Sequence, residues 1–169
     1  MGKYKNIILI SGGVILTFAL IGLLGFLLSE SKGSQPENTD QSNGFLAAEE
    51  SSFDFGNISM AAGKVSHTFK IKNSGAEPVI ISKIYTSCMC TETTLVKQNG
   101  RFGPFGMPGH ISIPKINQIL KADEEAAVEV VFDPAAHGPA GLGQTERKIT
   151  IENNGKNEMT LLIRANVMP

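Results

Sequence analysis

The spacing of apolar and polar positions divides the chain into two unlike parts. Residues 7–28, IILISGGVILTFALIGLLGFLL, carry no charge and no polar stripe. As a helix this run rises about 33 Å, enough to cross a hydrocarbon core of about 30 Å. Beyond Ser51 the period becomes two. In KVSHTFKIKN, Val65, His67, Phe69 and Ile71 fall on one face, and Lys64, Ser66, Thr68, Lys70 and Lys72 on the other. AAVEVVFD alternates through Val128, Val130 and Phe132, and RKITIEN through Ile149 and Ile151. SFDFGNI, VIISKIYTS, TETTLV and MTLLIRANVMP complete the strand-like runs, and NSGAEP and NNGKNE read as turns. The expected architecture is all-β: an Ig-like antiparallel β-sandwich of about seven strands, preceded by one N-terminal transmembrane helix. No amphipathic helix is expected outside the span.

Charge orients this layout. Lys3 and Lys5 precede the apolar run, and the positive-inside rule then puts the N-terminus in the cytoplasm and the remainder outside. The run exceeds the h-region of about 7–15 residues usual for a cleaved signal peptide, which favours an uncleaved signal anchor; cleaved export stays open. Residues 29–50 are rich in Ser, Glu, Gln, Asn and Gly and read as a flexible tether. The expected organisation is a cytoplasmic N-terminus at 1–6, a signal anchor at 7–28, the tether at 29–50 and the sandwich at 51–169. Lys+Arg 15 against Asp+Glu 16, with no long basic run, gives a nucleic-acid partner no electrostatic support.

FDFGNI, HTFKIKNSGAEPVIISKIYTSCMCT, VEVVFDP and RKITIENN, in that order, resemble the bacterial domain-of-unknown-function family 1573. The resemblance spans roughly Phe53 to Pro169. It implies an exported Ig-like domain similar to the ASH and MSP domains, and it implies no particular activity. Members commonly carry Gly between the two cysteines, where this chain has Met89; Gly tolerates a positive φ that Met does not.

Chemistry concentrates in TSCMCTET, which holds both cysteines, Cys88 and Cys90. Residues i and i+2 of an extended strand point the same way about 6.5–7 Å apart, wider than a relaxed disulfide at about 5.5–6 Å. A bridge there would need a local bend and would be labile. Two thiolates on one face can instead share a soft ion. GPFGMPGH adds Met107 and His110, and AAHGPAG adds His137, each in a Gly- and Pro-rich loop. Thiolate, thioether and imidazole together suit copper(I). The Cys-x-Cys spacing is tighter than structural zinc sites use. Against these readings stands a plain one, two small residues packed at a strand end.

No nucleophile elbow, HExxH or P-loop occurs, and no enzyme is expected. The reading that results is a membrane-anchored, extracytoplasmic, non-catalytic binding or scaffold domain that engages an exported or membrane protein. The long 97–120 connection would be its contact surface. The competing reading is a copper or other soft-metal domain with Cys88, Cys90, Met107 and His110 as ligands and His137 as an alternative. The third is a thiol–disulfide redox protein.

Overall fold

The computed structural model describes residues 43–169 apart from 156. The cytoplasmic N-terminus, the anchor at 7–28 and the tether as far as 42 lie outside the described residues. No helix among the described residues is long and apolar enough to cross a membrane.

Ten strands are present among these residues: β1 (Leu46–Ala48), β2 (Ser52–Ser59), β3 (Val65–Asn73), β4 (Val79–Thr86), β5 (Thr91–Lys97), β6 (Gly100–Phe105), β7 (Gln118–Leu120), β8 (Glu125–Phe132), β9 (Gly143–Asn153) and β10 (Met159–Met168). They form two five-stranded sheets, ordered β1-β3-β8-β5-β6 and β2-β10-β9-β4-β7. The strand count exceeds the expected seven because β1, β6 and β7 are short or interrupted by Gly and Pro. β1 lies within the stretch assigned to the tether, and it pairs with β3, Leu46 opposite Asn73. β6 and β7 form inside the 97–120 connection. Pairing is antiparallel except for β2 on β10, which is parallel.

The alternation seen in the sequence sets which faces meet. On β3, Phe69 and Ile71 are fully buried, and on β8 Val128, Val130 and Phe132 lie opposite solvent-facing neighbours. The other sheet contributes Ile81, Ile84, Ile149, Ile151, Leu161 and Ile163, each 2% exposed or less. Burying about 25 cal/mol of favourable free energy per Å² of such apolar surface, the two inner faces hold the sandwich together. At the rim of this core, His67 stacks on Phe53 at 3.6 Å between ring centroids and meets Glu50 Oε1 at 2.7 Å. A β3 histidine is thereby engaged structurally.

One crossing between the sheets positions the candidate site. β4 belongs to one sheet and β5 to the other, so residues 87–90 must turn the chain across the end of the sandwich. The cysteine motif is this turn, not part of a strand as its extended-chain spacing suggested.

Candidate functional site

Threonine and backbone bonds fix the turn from both sides. Cys88 O accepts from Thr91 N–H at 3.2 Å, closing a tight four-residue turn with Met89 and Cys90 at its centre. The buried Thr86 hydroxyl donates to Cys88 O and to Thr91 O, each at 3.0 Å. Ser87 continues the β4–β9 ladder: its N–H donates to Lys148 O, and its Oγ accepts from Lys148 N–H, both at 2.9 Å. The turn needs no left-handed residue at position 89. Among the described non-glycine residues only Asn117 and Asp123 have positive φ, so Met89 takes the place of glycine without backbone strain. Its side chain projects into solvent.

A second segment is pinned to the first. Asp133 N–H donates to Cys90 O at 2.9 Å, where β8 ends beside the turn. From there the chain loops through an Asp133 side-chain cap on Ala135 N–H (2.9 Å) and a Gly138 N–H to Ala135 O bond (2.9 Å). Gly138 takes φ +54°, a region that favours glycine. The loop brings exposed His137 back over the turn, with Nε2 3.1 Å from Cys88 Sγ.

The third contributor is β9. Its inward face runs Thr145, Arg147, Ile149, Ile151, so a guanidinium occupies a core-facing position at the end of the sandwich. Arg147 Nε donates to Cys90 Sγ at 3.0 Å, and the guanidinium carbon lies 6.0 Å from the centre of the Phe132 ring.

Cys88 Sγ, Cys90 Sγ and a ring nitrogen of His137 therefore lie within 4.8 Å of one another. The two cysteines are free thiols, Cys88 half-buried and Cys90 buried. Three of the five expected ligand residues thus converge. His110 stands outside this cluster, exposed, with its backbone N–H bonded to Met107 O. Met107 is half-buried and follows Gly106, whose carbonyl accepts from Thr86 N–H at 3.0 Å. The residue that sequence reasoning passed over is Arg147. The alternation that marks Ile149 and Ile151 as inward marks Arg147 as well, and a cation in a core register is itself a signal.

The two thiols are shifted in opposite directions. Burial by itself pushes the Cys88 thiol up. Hydrogen bonding with Cys90 and His137, the Cys90 backbone N–H and the charge of Arg147 outweigh it, lowering Cys88 from 9.0 to about 7. Burial, and the same bond to Cys88, push Cys90 up despite Arg147. A lowered thiol pKa means more thiolate as pH rises through it. Alkylation of Cys88 by iodoacetamide is expected to accelerate through pH of about 7 and level off above about 8, with Cys90 slow throughout. In His137→Ala, which lacks one of the bonds to the thiolate, the midpoint is expected to move toward the ordinary thiol value. Peptide mapping after timed alkylation checks both, and an unmoved midpoint would show that His137 does not act on Cys88.

Two β-sheets packed face to face make this an Ig-like β-sandwich domain, with a dithiol–imidazole cluster at one end. Residues 46–105 match the family model described as Protein of unknown function (DUF1573), which upholds the resemblance read from the sequence. The match takes in β1 to β6 and both cysteines, and it ends before His137 and Arg147. Among solved structures, a protein of unknown function from Porphyromonas gingivalis W83 is similar at 16% identity and a TM-score of 0.54, over 79% of this chain and 51% of that one. The ASH/PapD-like domain 7 of human CEP192 is similar at 11% identity and a TM-score of 0.43, over 83% of this chain and 96% of that one. Of these two, the first is near enough to speak for a shared fold, and at its identity it speaks for the fold alone. The chain spans about half the length of that Porphyromonas protein. No curated protein matches the chain.

Proposed function

We propose that this chain is a membrane-anchored, extracytoplasmic Ig-like binding domain, non-catalytic, whose ligand is a soft metal ion, copper(I) foremost, held by Cys88, Cys90 and His137. The observation that carries this reading is the convergence of two sulfurs and one imidazole nitrogen within 4.8 Å. Sulfur sits about 2.3 Å and nitrogen about 2.0 Å from a bound ion, so ligand atoms sharing one ion stand ~3–4.5 Å apart. The cluster needs little movement to reach that span. Its donor set is soft, which favours Cu(I) over hard cations. Its parts come from a turn, a loop and a strand that the core holds in place, so the site is largely pre-organised. The uncharged 7–28 run and its lysine flank support the anchor and the outward orientation.

A second reading, a scaffold for an exported or membrane protein, draws on a different observation. Ile80 on β4 and Ile119 on β7 are register partners and both are exposed, which leaves an apolar pair at the edge of one sheet. The two readings are compatible, since the edge and the cluster use different residues.

The test is a Cu(I) titration of the full-length protein, reduced and in detergent, against a chromophoric chelator. About one equivalent bound with soft-ligand affinity is expected. A reduced protein that withdraws no Cu(I) from the chelator overturns the metal reading and leaves the scaffold.

A further inference from the structure

We infer that Arg147 sets the charge of the ion this site accepts, selecting a monovalent cation over a divalent one; this rests on the metal reading above. The juxtaposition that carries it is a core-facing guanidinium whose Nε points at Cys90 Sγ, 3.0 Å away. The other two arginines, on β6 and β10, are paired with carboxylates: Arg101 with Glu129 and Arg164 with Glu146. Arg147 is in no ion pair with a carboxylate among the described residues. Its Nη1 donates to the backbone carbonyl of Glu146 at 2.9 Å, which satisfies a donor without offsetting the charge. The anion available to it is a thiolate.

That arrangement fixes the favoured charge of the filled site. A thiol is a weak acceptor, whereas a thiolate makes a charge-assisted bond with a guanidinium. Two thiolates and a neutral imidazole around a monovalent ion carry one net negative charge, which the Arg147 cation cancels. The same ligands around a divalent ion are already neutral, and Arg147 then faces a complex that offers it no net attraction. Cys90 is buried and Cys88 half-buried, so the field of one charge at this range is only partly screened. The remaining charged residues bordering the hollow outside Cys90 are Lys64, Glu92 and Asp133. Lys64 and Glu92 are exposed and of opposite sign, and Asp133 accepts from Ala135 N–H through Oδ1 without forming an ion pair among the described residues. None of the three joins the ligand cluster.

The alternative role for Arg147 is structural, a plug over Phe132 that merely keeps β9 against the turn. The two roles differ in what they do to different ions. Loss of a plug loosens the cluster alike for every metal, whereas loss of a charge shifts the balance between monovalent and divalent ions.

The experiment measures Cu(I), Ag(I) and Zn(II) affinities of the full-length, reduced protein at pH about 7, by chelator competition, for wild type, Arg147→Gln and Arg147→Lys. In Arg147→Gln the ratios of Cu(I) to Zn(II) and of Ag(I) to Zn(II) affinity are expected to fall about 10-fold or more, as removal of one partly screened charge requires of two filled sites that differ by one charge. Arg147→Lys, which keeps the charge and loses the planar fork, is expected to retain most of the preference. If Arg147→Gln does not fold, Arg147→Met supplies the neutral variant while covering the Phe132 ring. Equal losses for all three ions, or no change for any, overturn the inference and leave the site itself intact. Wild-type protein that binds none of the ions overturns the metal reading, and the inference with it.

Discussion

Serine in place of Cys88, or of Cys90, is expected to lower Cu(I) affinity about 1,000-fold, because each change removes both a soft donor and a negative charge. A serine hydroxyl is isosteric enough to leave the turn intact and stays protonated at neutral pH, so it replaces neither property. The hydrogen bonds that shape the turn run through Thr86, Ser87 and the backbone, and the one that Cys88 Sγ accepts from Cys90 N–H at 3.4 Å is open to a serine Oγ as well. The variants should therefore fold, and the loss should be one of chemistry. The two positions are expected to fail for partly different reasons. Cys88 is the half-buried thiol that ionises first, with its pKa about 7, and its loss removes the thiolate that an incoming ion meets. Cys90 is the buried thiol that carries the Arg147 contact, and its loss also leaves a guanidinium without its anion. His137→Ala should cost less, about 10-fold, since both thiolates remain to hold the ion. Competition titrations of the three variants give the order directly. Either serine variant binding Cu(I) within 10-fold of wild type would show that the ion, if bound, is held elsewhere.

How much of this was legible in the chain follows from what each residue's neighbours could reveal. The strands that bury one face announce themselves by alternation: β3 through Phe69 and Ile71, β8 through Val128, Val130 and Phe132, β9 through Ile149 and Ile151. β1 and β7 do not, because three residues are too few to show a period. Leu46 and Leu120 are buried by partners that lie far off in sequence. β6, GRFGPF, is masked by two glycines and a proline. The cysteines were legible as a pair and not as a turn. Their spacing on an extended strand argued against an easy disulfide and for two thiolates on one face, whereas the chain turns there, on its crossing from β4 to β5. Choosing between His110 and His137 was beyond local pattern, since both sit among glycines and prolines. What separates them is the Asp133 N–H to Cys90 O bond, a contact across more than forty residues that carries one loop to the turn. Arg147 could have been found, for it stands in the same alternation as the isoleucines that follow it.

Replacing Asn73 by alanine is expected to destabilise the fold by about 3 kcal/mol, although the sequence marks this residue only as the start of a turn. Asn73 is fully buried, and its amide uses every bonding position it has. Oδ1 accepts from Phe45 N–H at 3.3 Å and Gly75 N–H at 3.0 Å; Nδ2 donates to Glu77 O at 2.8 Å and to Leu120 O at 3.0 Å. One side chain thus ties the entry to β1, the β3–β4 turn and the edge strand β7. Alanine leaves those backbone groups without partners in a place where water reaches poorly, and each unmet buried group costs about 1–3 kcal/mol. The turn itself cannot relax to compensate, because Gly75 already lies so close to Asn43 and Phe45 that a Cβ there would sit 2.5 Å from Asn43 O. Asn73→Asp separates the two halves of the role. It keeps an acceptor for the Phe45 and Gly75 N–H groups, loses the donors to Glu77 and Leu120, and buries a carboxyl, so it should be no better tolerated than alanine. Urea unfolding of the three proteins reads the effect as a lowered midpoint at unchanged slope. The cluster lies on other elements, so the folded fraction of each variant should still bind Cu(I) as wild type does. A loss below about 1 kcal/mol for Asn73→Ala would mean that β1 and β7 are peripheral to the cooperative unit, and that the site depends on the β4, β5, β8 and β9 core alone.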